Sequence, residues 1–157
     1  MDCSQISDDL FIGRTPHTED YDHLRSLGVQ LVISMRFERK PYPDEHNPPM
    51  PVIRLPTIDS PLFPIPMRAL MRGVKAALSV IESGGKVYVH CQAGVHRAVT
   101  MGSAILIAQG HEAEEAMDII KQQRPAADPD AWYIRRRIIR FGKIWDQEVV
   151  NFSGSLT

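Results

Sequence analysis

The chain has 157 residues, 43% of them hydrophobic and 24% charged, with a formal net charge of −1 and two cysteines. That length suits one domain, expected over residues 1–157, with interior enough to fold without staples. The balanced charge excludes a global positive field for nucleic acid or acidic membrane, and Cys3 and Cys91 are too few for a disulfide scaffold. Met1-Asp2-Cys3-Ser4 has no basic or apolar leader character, and the longest apolar run, Ala104 to Ala108, is too short to span a bilayer. The expectation is a cytoplasmic monomer with no nucleic-acid or membrane partner.

In chain order, Leu10 to Ile12 reads as a short strand closed by Gly13. Glu19 to Leu27 reads as a helix, with Thr18 as N-cap, acids in the first turn and Gly28 as the stop. Leu31 to Ser34 is a buried strand. Nine of the twelve prolines then fall between Pro41 and Pro66. Proline lacks a backbone donor and fixes φ, so this stretch reads as two loops around one strand, Val52 to Leu55. Pro66 opens a helix that runs to about Ser83 and ends at Gly84-Gly85. Lys86 to His90 is a strand, Arg97 to about Gln109 a helix, and Glu112 to Gln123 another. Asp128-Pro129 starts the last helix, which runs to about Val149. Strands alternating with helices predict an α/β fold with a central, mostly parallel sheet of four to five strands flanked by helices.

The segment with chemical content is His90-Cys91-Gln92-Ala93-Gly94-Val95-His96-Arg97. A buried strand ends at a cysteine, and six positions later an arginine opens a helix. A loop of this kind turns successive N–H groups inward and adds the positive end of the helix. Gly94 supplies backbone freedom, and the Arg97 guanidinium forks two oxygens of a phosphate. The same field favours Cys91 as a thiolate, aimed at phosphorus. Residues 92–97 are thus expected to bind substrate: Gln92, Ala93, Gly94, Val95, His96 and Arg97. No metal or cofactor is expected, since Arg97 and the amides carry the charge.

This segment resembles the HCxxGxxR signature of the cysteine-dependent protein tyrosine phosphatases, and the short chain resembles their small atypical dual-specificity branch. Leu10 to Gly13, Leu27 to Ser34 and Arg124-Pro125 extend the likeness over most of the chain. The resemblance implies Cys91 as nucleophile, Arg97 as phosphate binder and an upstream aspartate as general acid. Asp59, 32 residues before Cys91 in Thr57-Ile58-Asp59-Ser60-Pro61, is the candidate, with Asp44 as the fallback.

Two positions depart from the family pattern. Ala98 stands where Ser or Thr follows the arginine, which predicts slow breakdown of a phosphoenzyme, with Thr100 as a partial substitute. His96 precedes Arg97, a pairing that resembles the inositol-pyrophosphate phosphatases, as do Arg36 and Glu38. His90 reads as a loop-shaping residue and Arg124 as a structural one paired with a carboxylate near the cradle. Arg136, Arg140 and Lys143 form a basic stripe on the last helix, read as a solvated face or else a docking surface for an acidic partner.

The reaction expected is hydrolysis of phosphotyrosine, with phosphoserine and phosphothreonine, in a phosphorylated protein or small phosphomonoester. The alternatives are a phosphoinositide or inositol polyphosphate substrate and a slow phospho-binding module.

Overall fold

Side-chain alternation decides which face of the sheet each residue enters. In β2 (Leu10–Gly13) and β5 (Lys86–His90), Leu10, Ile12, Val87 and Val89 join one apolar cluster while Phe11 and Tyr88 join the other. Both faces are therefore buried, as the unbroken apolar runs of a parallel sheet demand. The other strands are β1 (Cys3–Gln5), β3 (Val29–Arg36) and β4 (Val52–Thr57). The computed structural model describes residues 1–155, so the last two positions of the expected domain lie outside it. It orders the five strands β1-β2-β5-β3-β4, with β1 antiparallel to β2 and all other pairings parallel.

One face of the sheet packs against α2 (Met67–Glu82), α3 (Arg97–Ala108), α4 (Ala113–Gln123) and α5 (Trp132–Ser155). The other packs against α1 (Tyr21–Ser26), through Tyr21 and Leu24, and against Met50 of the Pro-rich segment. The central helix α3 is buried on nearly every side, so it reads as apolar all round rather than amphipathic. Among the described residues no helix is long and apolar enough to cross a membrane.

Four differences from the sequence reading have physical causes. Strand β1 is not legible in the sequence, because Cys-Ser-Gln carries no alternation and pairs only through tertiary contact with β2. Strand β4 continues through Pro56, tolerated because β4 is the sheet edge. Thr18 does not cap the first helix; it opens a 3₁₀ turn (Thr18–Asp20), and the Asp20 carboxylate accepts from the His17 N–H at 2.8 Å. The last helix starts at Trp132, not Pro129, although Asp128 does accept from the Ala131 N–H at 3.2 Å.

Candidate active site

Strand β5 is flanked on both sides by parallel neighbours, and Cys91 follows at its carboxyl end, the end at which open α/β sheets bind ligands. Between Cys91 and α3 every loop carbonyl is held from outside. The Thr15 hydroxyl donates to Cys91 O at 2.9 Å and the Thr15 N–H to Gln92 O at 3.4 Å. Arg124 donates to Ala93 O at 2.8 Å and Gly94 O at 2.9 Å, and the Asp128 N–H donates to Val95 O at 2.9 Å. The Thr100 hydroxyl donates to His96 O at 3.0 Å. With the carbonyls engaged outward, the N–H groups of Gln92 to His96 have no protein acceptor among the described residues. The result is a run of free donors leading into the start of a helix, which favours an anion.

Gly94 is required twice over. Its φ is +70°, and a Cβ there would lie 2.8 Å from the Gly13 carbonyl oxygen and 2.9 Å from Arg124 Nη2. Arg124 itself is buried and pairs with Asp2 at 2.8 Å, which supplies the carboxylate expected near the cradle. Gln92 and Ala93 are exposed. Buried His90 shapes the loop as expected, its Nδ1 3.1 Å from Cys91 O, and burial pushes its pKa down to about 4, so it is neutral.

Arg97 is 4% exposed and tightly placed. Its Nη1 donates to Thr57 O at 2.8 Å and to Met35 O at 3.3 Å, and Nη1 and Nη2 each meet a Glu38 oxygen at 2.9 Å. Its Nε is buried with no protein partner. The guanidinium is thus fixed by one edge while Nε keeps a donor to give. The hydrogen bond from Arg97, opposed by burial and helped by Arg36, holds Glu38 down to about 2. Glu38 is the site residue with the weakest sequence signal, an acid just after a buried strand.

Asp59 comes to the same mouth. Its Oδ2 lies 2.9 Å from His96 Nδ1, and the Tyr133 hydroxyl donates to Oδ1 at 2.6 Å. His96 Nε2 reaches Asp128 at 3.2 Å, so the imidazole bridges two carboxylates. Burial raises the Asp59 pKa, but the hydrogen bonds from Tyr133 and His96, with the charges of His96 and Arg97, outweigh it and leave the carboxyl below its ordinary value. Burial lowers His96, yet the same two carboxylates more than reverse this and raise it. Burial and Asp59 push Tyr133 up to about 12, so it donates throughout the neutral range.

Other sequence candidates go elsewhere. The Asp44 side chain is buried among the prolines, where it pairs with Arg25 and accepts from the Met50 N–H at 2.6 Å, so its carboxylate is tied up within that segment. The Arg25 hydrogen bond holds it well below the carboxylate range. Arg36 donates to the Thr15 hydroxyl at 2.9 Å and to Glu38 at 2.8 Å, bracing the cradle. Arg39 lies over the Tyr42 ring, 4.1 Å from its centre. The Thr100 hydroxyl proton is committed to His96 O, which weakens the case that it replaces a hydroxyl at position 98.

The sequence matches the family model described as "Dual specificity phosphatase, catalytic domain" over residues 10–142. It is 30% identical over 123 residues to dual specificity protein phosphatase 2 of Mus musculus, covering 77% of this chain and 37% of that one. The chain therefore spans well under half the length of that relative. Human DUSP28 superposes with a TM-score of 0.82 at 18% identity, covering 93% of this chain and 96% of that one. PTPMT1, solved in complex with PI(5)P, superposes with a TM-score of 0.82 at 25% identity, covering 92% and 97%.

Proposed function

Because the chain belongs to the dual-specificity phosphatase family, a family of protein phosphatases, we propose that it hydrolyses phosphotyrosine, with phosphoserine and phosphothreonine, through a cysteinyl-phosphate at Cys91. The observation that carries this reading is the run of free amides from Gln92 to His96 directly after Cys91, followed by the partnerless Nε of Arg97. In the first step the Cys91 thiolate attacks phosphorus. The P–O bond breaks, and Asp59 gives its proton to the departing oxygen. In the second step Asp59 takes a proton from water as the water oxygen bonds phosphorus and the thiolate leaves. Arg97 and the amides hold the three equatorial oxygens throughout. The buried Ala98 methyl offers the departing thiolate no hydrogen bond, so the second step is the slow one.

A phosphoinositide substrate is the second reading, favoured by PTPMT1 having been solved with PI(5)P. Against it, Gln92 to Val95 carry no cation to grip further phosphates. The test is turnover of a phosphotyrosine peptide, a phosphothreonine peptide and PI(5)P side by side, in EDTA. The reading predicts undiminished peptide turnover in EDTA at the highest kcat/KM for phosphotyrosine. Turnover of PI(5)P alone would overturn it in favour of the second.

The clamp on Asp59 makes a pH prediction. As general acid, Asp59 works only while protonated; the clamp favours its charged form in the free enzyme and an incoming phosphate dianion opposes that, so kcat/KM falls as pH rises through its pKa in the free enzyme. Tyr133→Phe removes a hydrogen bond that stabilises the carboxylate, which raises that pKa. The alkaline limb of kcat/KM should therefore move to higher pH in Tyr133→Phe, by about half a unit to one unit. An unmoved or lowered limb would show that Tyr133 does not hold the acid.

A further inference from the structure

A groove begins where the catalytic mouth ends. Pro61 and Pro64 of the Asp59 loop form one wall and α5, with Trp132, Tyr133, Arg136 and Arg140, forms the other, around a volume of about 450 Å³. Tyr133 belongs to both places: it lines the groove and holds Asp59. No acidic residue lines the groove among the described residues, although the whole chain is net negative. Arg136, Arg140 and Lys143 are exposed and form none of the ion pairs in the described residues, whereas neighbouring Arg135, just outside the groove, is paired with Glu114 and Asp130. Arg137 is tied to Ile65 O at 3.1 Å, and burial, with the charges of Arg140 and Arg136, holds its pKa below the ordinary value. Positive charge here is thus crowded and uncompensated. Trp132 is 60% exposed at the same edge, and Leu62 and Phe63, between the two prolines, are 81% and 58% exposed.

We propose that this groove binds an acidic peptide segment flanking the phosphorylated residue of a protein substrate. The proposal rests on the phosphatase reading above and names the substrate class for the same site. A concave trough with aromatic and proline walls admits an extended chain, whereas a flat bilayer does not reach into it. The occupant is then the molecule whose phosphate sits on Cys91. Arg136 and Arg140 lie three and seven residues beyond Tyr133, which is roughly 5 and 10 Å along the helix. An extended chain covers those distances in about two and three residues. The acidic residues recognised therefore lie within about five positions of the phosphorylated one.

The test compares two phosphotyrosine peptides of one sequence, flanked on both sides by three Glu or by three Gln, with an aryl phosphate alongside. In the wild-type protein the Glu peptide should have a kcat/KM about tenfold higher, mostly through KM and lost at high salt. In the double variant Arg136→Ala/Arg140→Ala that ratio should fall to about one. A ratio near one in the wild type, or a ratio unchanged in the variant, overturns the proposal. Anionic phosphatidylserine vesicles that bind the wild type and not the variant, with no peptide discrimination, overturn it in favour of a bilayer. If the wild type fails on the aryl phosphate, it is the phosphatase reading that fails. Titration of both peptides onto Cys91→Ser then still decides the groove: preferential binding of the Glu peptide supports it, and equal binding overturns it.

Discussion

Arg97→Ala should lower kcat/KM by about 10³- to 10⁵-fold, the range seen when a transition-state arginine is removed from phosphoryl transfer. The loss has two sources. The partnerless Nε donor disappears, and so does the charge that opposes the phosphoryl oxygens. Arg97→Lys should recover little of it. One ammonium cannot fork Glu38, reach the Met35 and Thr57 carbonyls and still face the cradle, as the planar guanidinium does. Stability should fall less than activity does. Glu38 is 40% exposed, so water takes over its share of the pair, and the Met35 and Thr57 carbonyls keep the Thr57 hydroxyl and the Phe37 N–H as donors, so a loss of only about 1 kcal/mol is expected. Kinetics on an aryl phosphate, vanadate binding and urea unfolding of the two variants check this. Activity of Arg97→Ala within tenfold of wild type would contradict it.

Asp59→Asn should lower kcat/KM by about 10²- to 10⁴-fold for phosphothreonine, whose alkoxide leaves poorly, and by far less for a nitrophenyl phosphate that leaves without a proton. The amide keeps an oxygen for the Tyr133 hydroxyl, so the loop stays in place and the effect reports chemistry rather than position. The alkaline limb should also vanish in this variant. Asn has no proton to lose, so nothing at position 59 changes with pH. Equal losses for both leaving groups, or an alkaline limb that persists, would remove Asp59 as the acid.

What is legible in the chain is what is local. The strand, cysteine, glycine and arginine of residues 86–97 are contiguous, so period and spacing reveal them together. Asp59 stands out only through the family resemblance, which implies an acid upstream of Cys91 at such a spacing. The groups that hold it do not. Tyr133 lies 74 residues away, on a helix whose visible pattern is the Ile134, Ile138, Phe141 and Trp145 core stripe. Asp128 reads only as a helix start, because capping is a local signal; its second oxygen meets His96, which is not. Asp44 and Asp59 look alike in sequence, each an aspartate among prolines. Their partners separate them: Asp44 is paired with Arg25, whereas Asp59 meets His96 and Tyr133.

The measurement that goes straight to the central claim is acid quench of the protein mixed with phosphopeptide, followed by mass spectrometry of the peptide containing Cys91. The account predicts one added phosphoryl group on Cys91 within the first turnover, persisting at steady state because the second step is slow, and absent in Cys91→Ser along with turnover. Sustained hydrolysis with no phosphorylated Cys91, or turnover retained by Cys91→Ser, would contradict it.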